Sequence, residues 1–323
     1  MPDFTPLALA IGHATDEAGG TGVTIVRGTD GPFRASAATI GRATGTREMH
    51  PLTPGHIVDR VDAILLTGGS AYGLDATAGA MRWFEERGRG HPVGAGVVPI
   101  VPAAVIFDLL PCGRFDARPT PAMVYEACER AASRDVAEGS VGAGTGATVG
   151  KGAGLQYAMK GGVGCAVRAS SNVTVGAIAV VNALGDVRGA DGAILAGGRD
   201  PDGRFVDIAR RIAGGAVPQR RFADLQSRNT TLAVVATSAL LTRVQLRGLA
   251  AAAGAALHRR ITPSGTSFDG DVIFAVGPLE GATASPLHVE GLAALALEEA
   301  IERAVRLARG RDGIPGLAEE AAT

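Results

Sequence analysis

The chain has 323 residues, 46% apolar and 20% charged, and its 31 basic and 32 acidic side chains leave a formal net charge of −1. That length buries a substantial core, as one large domain or two small ones. The charge balance excludes a nucleic-acid surface, which needs a basic excess, and the composition excludes disorder and coiled coil.

Short continuous apolar runs predict buried strands at Leu7–Ile11, Val23–Arg27, Ala63–Thr67, Val97–Val101, Val173–Val181, Leu232–Ala236 and Val272–Val276. Between them lie helical patterns. Ser70 is placed to N-cap a helix over Tyr72–Glu86, ended by Gly88, and Thr120 to cap one that opens with Pro121 and runs to about Ser133. Thr242 caps a run to His258. Val289–Arg309 is amphipathic, with Leu292, Leu295, Ile301, Val305 and Leu307 on its apolar side. Gly185–Arg228, rich in Gly, Asp, Arg and Pro, reads as a long irregular excursion with at most a short helix near 204–213. Strands 175–181 and 232–236 are apolar on both faces, so they lie between layers. A layered α/β architecture follows, its strand directions unread.

No window approaches the ~18 consecutive apolar residues of a membrane span. The first residues lack the basic segment of a secretory signal. Cys112, Cys128 and Cys165 form no CxxC and no disulfide framework, so reduced thiols in a cytoplasmic protein are expected. The six histidines have no metal-ligand spacing, and neither a metal nor a cofactor is expected.

Of the 31 basic residues only Lys151 and Lys160 are lysines, and both fall in one glycine-rich stretch. The segment from Gly142 to Lys151 fails the phosphate-loop template, with Thr145 where a glycine is required and Gly152 where Ser or Thr should follow the lysine. Its looser dinucleotide spacing opens no helix, which argues against nucleotide binding. What survives is a glycine-lined wall where the backbone comes close to something, with a lysine at the site. Gly68–Tyr72 and Glu138–Gly142 each miss one position of a nucleophile elbow, and Ser70 is better read as a cap.

Asn229-Thr230-Thr231 joins the long excursion to a buried strand. A hydroxyl there can attack the preceding carbonyl, turning peptide into ester. Hydrolysis then leaves Thr230 as a new N-terminus whose α-amine, with a pKa near ~8, serves as base for its own hydroxyl. The plain alternative is a loop-ending Asn before a strand-starting Thr. Asp269 and Asp271, two apart before a strand, face the same way and repel, so one can hold a proton near neutrality; the alternative is an ordinary Asp-Gly turn. Asn182 ends an apolar strand, where its amide can donate to an oxyanion or simply end the strand.

Seven segments change the balance: 65–86, 98–109, 139–151, 159–166, 177–187, 229–237 and 268–277. In that order they resemble the N-terminal-nucleophile amidohydrolases that include the β-peptidyl aminopeptidases, the L-aminopeptidase/D-esterases and the nylon-oligomer hydrolase. The resemblance implies a four-layer α-β-β-α sandwich in a single domain, 1–323, that cuts itself between Asn229 and Thr230 into fragments 1–229 and 230–323. Thr230 would be the nucleophile, and threonine after Asn resembles the nylon-oligomer branch, since the aminopeptidases carry serine. Asn182 matches the oxyanion-stabilising Asn. Asp269 and Asp271 match a pair where the aminopeptidases carry Ser and Glu. Lys151 lies at about the right distance for the family's lysine, with Lys160 as the second choice. Lys160, Tyr72 and Gly144 are candidate substrate-binding positions. The implied partners are a small-molecule amide or peptide substrate and further copies in a homo-oligomer of αβ units, with no nucleic acid and no membrane. An ornithine-acetyltransferase-like acyl transferase and an uncleaved relative acting as a binding module are the alternatives.

Overall fold

In the computed structural model, residues 2–216 and 229–318 are described. Strands β1 (Leu9–Asp16), β2 (Thr21–Gly28), β3 (Arg34–Thr39), β4 (Thr46–Arg47), β5 (Ala63–Thr67) and β6 (Ala103–Val105) come first. Strands β7 (Gly162–Ser170), β8 (Val173–Asn182), β9 (Thr230–Thr237) and β10 (Val272–Gly277) follow. They form two five-stranded sheets, ordered β1-β2-β5-β6-β4 and β7-β8-β9-β10-β3. Both sheets are mixed: β5 runs parallel to β6 and β9 parallel to β10, and the other pairs are antiparallel.

Successive side chains of a strand point to opposite faces, and here both faces are covered. Ile64 and Leu66 of one sheet meet Ile178, Val180, Leu232, Val234 and Phe274 of the other in the layer between them. The alternate residues Val23, Ile25, Ala63 and Leu65 pack outward under Trp83, Phe84, Val124 and Ala127 of helices α1 (Thr77–Glu85) and α2 (Pro121–Arg130). On the far side Ala177, Ala179, Val235 and Ile273 pack under Leu246, Leu249, Leu297 and Ile301. These belong to two further helices, Arg243–Arg260 and Pro286–Arg306, which follow the short α3 (Ile208–Ala213) and are labelled α4 and α5. The result is a four-layer α-β-β-α sandwich. Its outer spacing is set by small residues: a methyl group on Gly164 of β7 would stand 2.0 Å from the Ala300 carbonyl oxygen, so the α5 backbone lies directly on the strand.

Thr120 and Thr242 cap α2 and α4 as expected, the latter in a full capping box with Gln245. Ser70 does not cap: it sits at φ 52°, inside a 3₁₀ turn (Ser70–Ala76) entered through Gly69. The first strand begins at Leu9, because Thr5–Leu7 forms a 3₁₀ turn. Of Val97–Val101 only Val97–Val98 pairs, in a small hairpin with His91–Pro92. α2 ends at Arg130, and α5 starts at Pro286. Leu295 and Leu307 are exposed, since the buried stripe of α5 runs instead through Val289, Ala293, Ala296, Ala300 and Ala304. The excursion after Gly185 contains two paired short strands, Asp186–Arg188 and Ile194–Ala196, before α3; its stretch 217–228 lies outside the described residues. Among the described residues no helix is long and apolar enough to cross a membrane.

Phe274 is fully buried between the sheets. Replacing it by alanine is expected to cost roughly 3–5 kcal/mol, read as a lower denaturation midpoint, whereas a loss under about 1 kcal/mol would contradict the close packing of that layer.

Candidate active site

The site forms where β9 begins. Antiparallel to β8, β9 sets Thr230 opposite Asn182; parallel to β10, it sets Leu232 opposite Val272. The parallel register continues past the strand ends and pairs Asn229 with Asp269 in a bridge. Three segments distant in sequence therefore meet at one end of one sheet.

Thr230 is 4% exposed. Its Oγ1 donates to the Asn229 carbonyl oxygen at 2.7 Å, and the Gly270 amide donates to the same oxygen at 2.8 Å. The Gly270 amide polarises that carbonyl toward nucleophilic attack, and the hydroxyl's bond to the same oxygen keeps Oγ1 beside it. Glycine at 270 makes room for the hydroxyl, since a methyl there would stand 2.7 Å from Thr230 Oγ1. The Asn229 side-chain nitrogen donates to the Phe268 carbonyl oxygen at 3.5 Å, and its Oδ1 is buried without a hydrogen-bond partner among the described residues.

Lys151 enters the site from a tight turn after Gly150, which has φ 75°. Its Nζ donates to Asn182 Oδ1 at 2.7 Å, to the Asn182 carbonyl oxygen at 2.9 Å and to the Thr148 carbonyl oxygen at 3.2 Å. Burial pushes its pKa down to about 7, against the pull of Asp269 and Asp271. Asn182 Oδ1 also accepts from the Thr148 amide at 3.1 Å, and its Nδ2 donates to the Phe107 carbonyl oxygen at 3.1 Å. Two donors on Oδ1 fix which way the amide faces.

Asp269 and Asp271 are each 2% exposed. Asp269 Oδ2 accepts from the Thr266 amide at 2.8 Å. Asp271 accepts from the Thr231 amide at 2.6 Å and the Gly265 amide at 3.2 Å, which ties β10's approach to β9 and to the preceding turn. Burial raises both carboxyls, and for Asp271 the charge of Asp269 adds to bring it to about 7.

Lys160, Gly144 and Tyr72 are the remaining candidates, and Lys160 pairs with Thr148, close enough for its charge to act on Lys151. Lys160 donates to the carbonyl oxygens of Ala147 at 2.7 Å, Thr145 at 2.8 Å and Gly144 at 3.4 Å, so it pins the glycine-rich loop, and burial pushes it down to about 8. Gly144 makes its close approach to the protein's own backbone: a methyl there would stand 2.4 Å from the Val163 nitrogen. Tyr72 is 53% exposed, with the Arg118 guanidinium 3.4 Å from its ring centroid. Among the described residues no hydrogen bond joins it to Thr230, Asn182 or Lys151. Among the described residues no three or more His, Cys, Asp or Glu side chains come together as a metal-binding group.

Sequence reasoning missed the backbone groups: the Gly270 amide, the Thr148 amide and carbonyl, and the Phe107 carbonyl. Such groups leave no residue-type signature, and only the register brings them in. Together the hydroxyl, the polarised carbonyl, the oriented amide, the lysine and the carboxyl pair suit acyl transfer from an amide.

The profile of peptidase family S58 matches residues 8–316. An uncharacterized aminopeptidase of Mycobacterium tuberculosis is 44% identical over 290 residues, 88% of this chain and 80% of that protein. The 6-aminohexanoate-oligomer endohydrolase of Paenarthrobacter ureafaciens is 31% identical over 276 residues, 83% of this chain and 72% of that protein. In fold, the chain is similar to the L-aminopeptidase D-Ala-esterase/amidase of Ochrobactrum anthropi, described as a variant of the Ntn-hydrolase fold. The TM-score is 0.68 at 21% identity, covering 95% of this chain and 86% of that one. A β-aminopeptidase of Burkholderia sp. gives the same TM-score of 0.68 at 21% identity, over 96% of this chain and 89% of that one. The chain belongs to peptidase family S58 and is a hydrolase of peptide or amide bonds.

Proposed function

We propose that the chain cuts its own Asn229–Thr230 bond and then hydrolyses linear amides or peptides with Thr230 as an N-terminal nucleophile. The observation that carries this is the Asn229 carbonyl oxygen, held at 2.7 Å by the hydroxyl of Thr230 and at 2.8 Å by the Gly270 amide. In the first step Thr230 Oγ bonds to the Asn229 carbonyl carbon, and the Gly270 amide faces the developing oxyanion. The C–N bond breaks, the hydroxyl proton passes to the Thr230 nitrogen, and an ester remains. Water splits the ester, giving an Asn229 carboxylate and a free Thr230 amine and hydroxyl. Fragments 1–229 and 230–323 stay together because β9 remains bonded to β8, and β10 to β3, within one sheet.

In turnover the Thr230 amine takes the proton of its own hydroxyl as Oγ attacks the substrate carbonyl. Asn182 Nδ2 donates to the oxyanion, and Lys151 holds that amide in place and supports the hydroxyl. Asp269 and Asp271 orient the Thr230 amine and relay its proton. Water then releases the acyl group. Likeness to an endohydrolase of 6-aminohexanoate oligomers supports linear oligoamides as substrates, and likeness to aminopeptidases supports peptides.

Intact-protein mass spectrometry tests the cut. The wild type is expected as two species, one ending at Asn229 and one beginning at Thr230, and Thr230→Ala as a single 32.5 kDa chain. A wild type that stays whole on long incubation would sink the reading. In the mature enzyme Asn182→Ala is expected to lower kcat on aminoacyl anilides by roughly 10²–10³-fold, the usual loss for one oxyanion donor.

The acid pair gives a third test, in the uncleaved Thr230→Ala chain. Asp271 has a folded pKa raised from 3.8 to about 7, so the native state binds the extra proton. Its contribution to stability is complete below pH 3.8 and is lost as pH rises to about 7. Lys151, pushed from 10.5 down to about 7, acts on the alkaline side of that window. Asp271→Asn is expected to flatten the decline of unfolding free energy across the acid window; an unchanged slope contradicts the burial of a raised carboxyl.

A further inference from the structure

Asp186 lies four residues beyond Asn182 and is fully buried. Its Oδ1 accepts from the Gly198 amide at 2.8 Å and its Oδ2 from the Ile208 amide at 2.7 Å, the latter at the start of α3. The chain between Asn182 and Asp186 supports the lysine turn from one side. The Gly185 carbonyl oxygen accepts from the Gly150 amide at 2.9 Å, and that of Leu184 from the Gly152 amide at 3.1 Å. The two groups gripped by Asp186 press on the same turn from the other side. A methyl on Gly150 would stand 2.0 Å from the Gly198 nitrogen, and one on Gly152 would stand 2.5 Å from Ile208 Cγ2. Lys151 sits between these two glycines.

We propose that Asp186 is a positioning residue for Lys151: its carboxylate closes the 197–208 segment over the Gly150–Gly152 turn, keeping the lysine dry and aimed at Asn182. This rests on Lys151 being the site lysine of the proposed function. Without the carboxylate two buried amides lose their acceptor and the segment has no anchor at that point. Water then reaches the lysine, and the burial that depresses its pKa is relieved. The groups acting most on Lys151 are Asp269, Asp271, Lys160 and the Cys112 thiol. Asp186 itself faces Arg188 and Asp207, and burial pushes it up to about 6.

The chain has only two lysines, so ¹³Cε-lysine labelling gives two NMR signals, assigned with Lys160→Arg. The titration uses the full-length Thr230→Ala protein. Lys151 is expected to titrate at about 7 and Lys160 at about 8. In Asp186→Ala the Lys151 midpoint should rise by about one unit or more, and in Asp186→Asn, which keeps one acceptor oxygen, by less, while Lys160 stays within about 0.3. If these variants lose their cooperative melt, Gly198→Ala carries the test. Its methyl would stand 2.6 Å from Ile208 Cδ1 and 2.8 Å from the Gly150 carbonyl oxygen, wedging the same contact apart, and the same shift is expected. A folded variant with an unmoved Lys151 midpoint, or with both lysines moving alike, overturns the proposal. In the mature enzyme with Thr230 intact, the same substitutions should lower kcat on aminoacyl anilides by roughly tenfold or more. A wild type that never cuts would defeat the proposed function and leave the titration result standing.

Discussion

Strand β9 pairs with an antiparallel neighbour on one edge and a parallel one on the other, and its register against both is fixed by where its side chains go. Leu232 and Val234 must enter the layer between the sheets, and Ala233 and Val235 the layer under α4 and α5. A slip of one residue would exchange the two sets and put each in the wrong layer. The register that satisfies the core is the one that sets Thr230 opposite Asn182 and Asn229 beside Asp269. The site's geometry is thus inherited from apolar packing several residues away, and the polar groups need only be present at the strand ends.

Those polar groups are buried, and a buried ammonium is costly unless its protons are taken. Three carbonyl-type oxygens converge on Lys151 Nζ, and three more on Lys160 Nζ. This explains why a chain that uses arginine for its other 29 basic residues has lysine here. A single nitrogen can send three N–H groups to a convergent set of oxygens, whereas a planar guanidinium presents a fork. The two lysines differ in what their oxygens belong to. Those around Lys160 are all backbone of the glycine-rich loop, so it ties that loop together. Those around Lys151 include the Asn182 side chain, so its ammonium also decides which end of that amide faces Phe107.

That the sheets are covered by helices was legible because strands such as 175–181 are apolar on both faces, whereas the four-layer order came only with the family resemblance. The helix caps Thr120 and Thr242 were legible because capping is local chemistry. Strands β3 and β7 escaped notice because Arg34–Thr39 carries too little apolar signal and Gly162–Ser170 is interrupted by glycine. Ser70 misled because a residue type that favours caps occupied a left-handed turn. In the site, the residues with distinctive side chains were readable one at a time, and residue types alone left Lys151 and Lys160 equivalent. Gly144 looked like a ligand-facing glycine, since the sequence shows that backbone must approach something and not what it approaches. The hydrogen bonds that the Gly270 and Thr148 amides donate and the Phe107 carbonyl accepts lie beyond any residue-type argument.

The backbone contribution bears on how one site could serve two reactions. The Asn229 carbonyl oxygen is held from the β10 side by the Gly270 amide, whereas Asn182 stands on the β8 side with its amide oriented by Lys151. Self-cleavage and turnover in the proposed scheme therefore draw on oxyanion donors from opposite edges of β9, with Thr230 Oγ1 common to both. That separation follows from the mixed pairing of the strand: a parallel neighbour offers its amide to the carbonyl ahead of the nucleophile, and an antiparallel neighbour ends in a side chain beside it. A change confined to Asn182 would then weaken turnover more than the cut, while crowding at Gly270, whose methyl would reach Thr230 Oγ1, would weaken both.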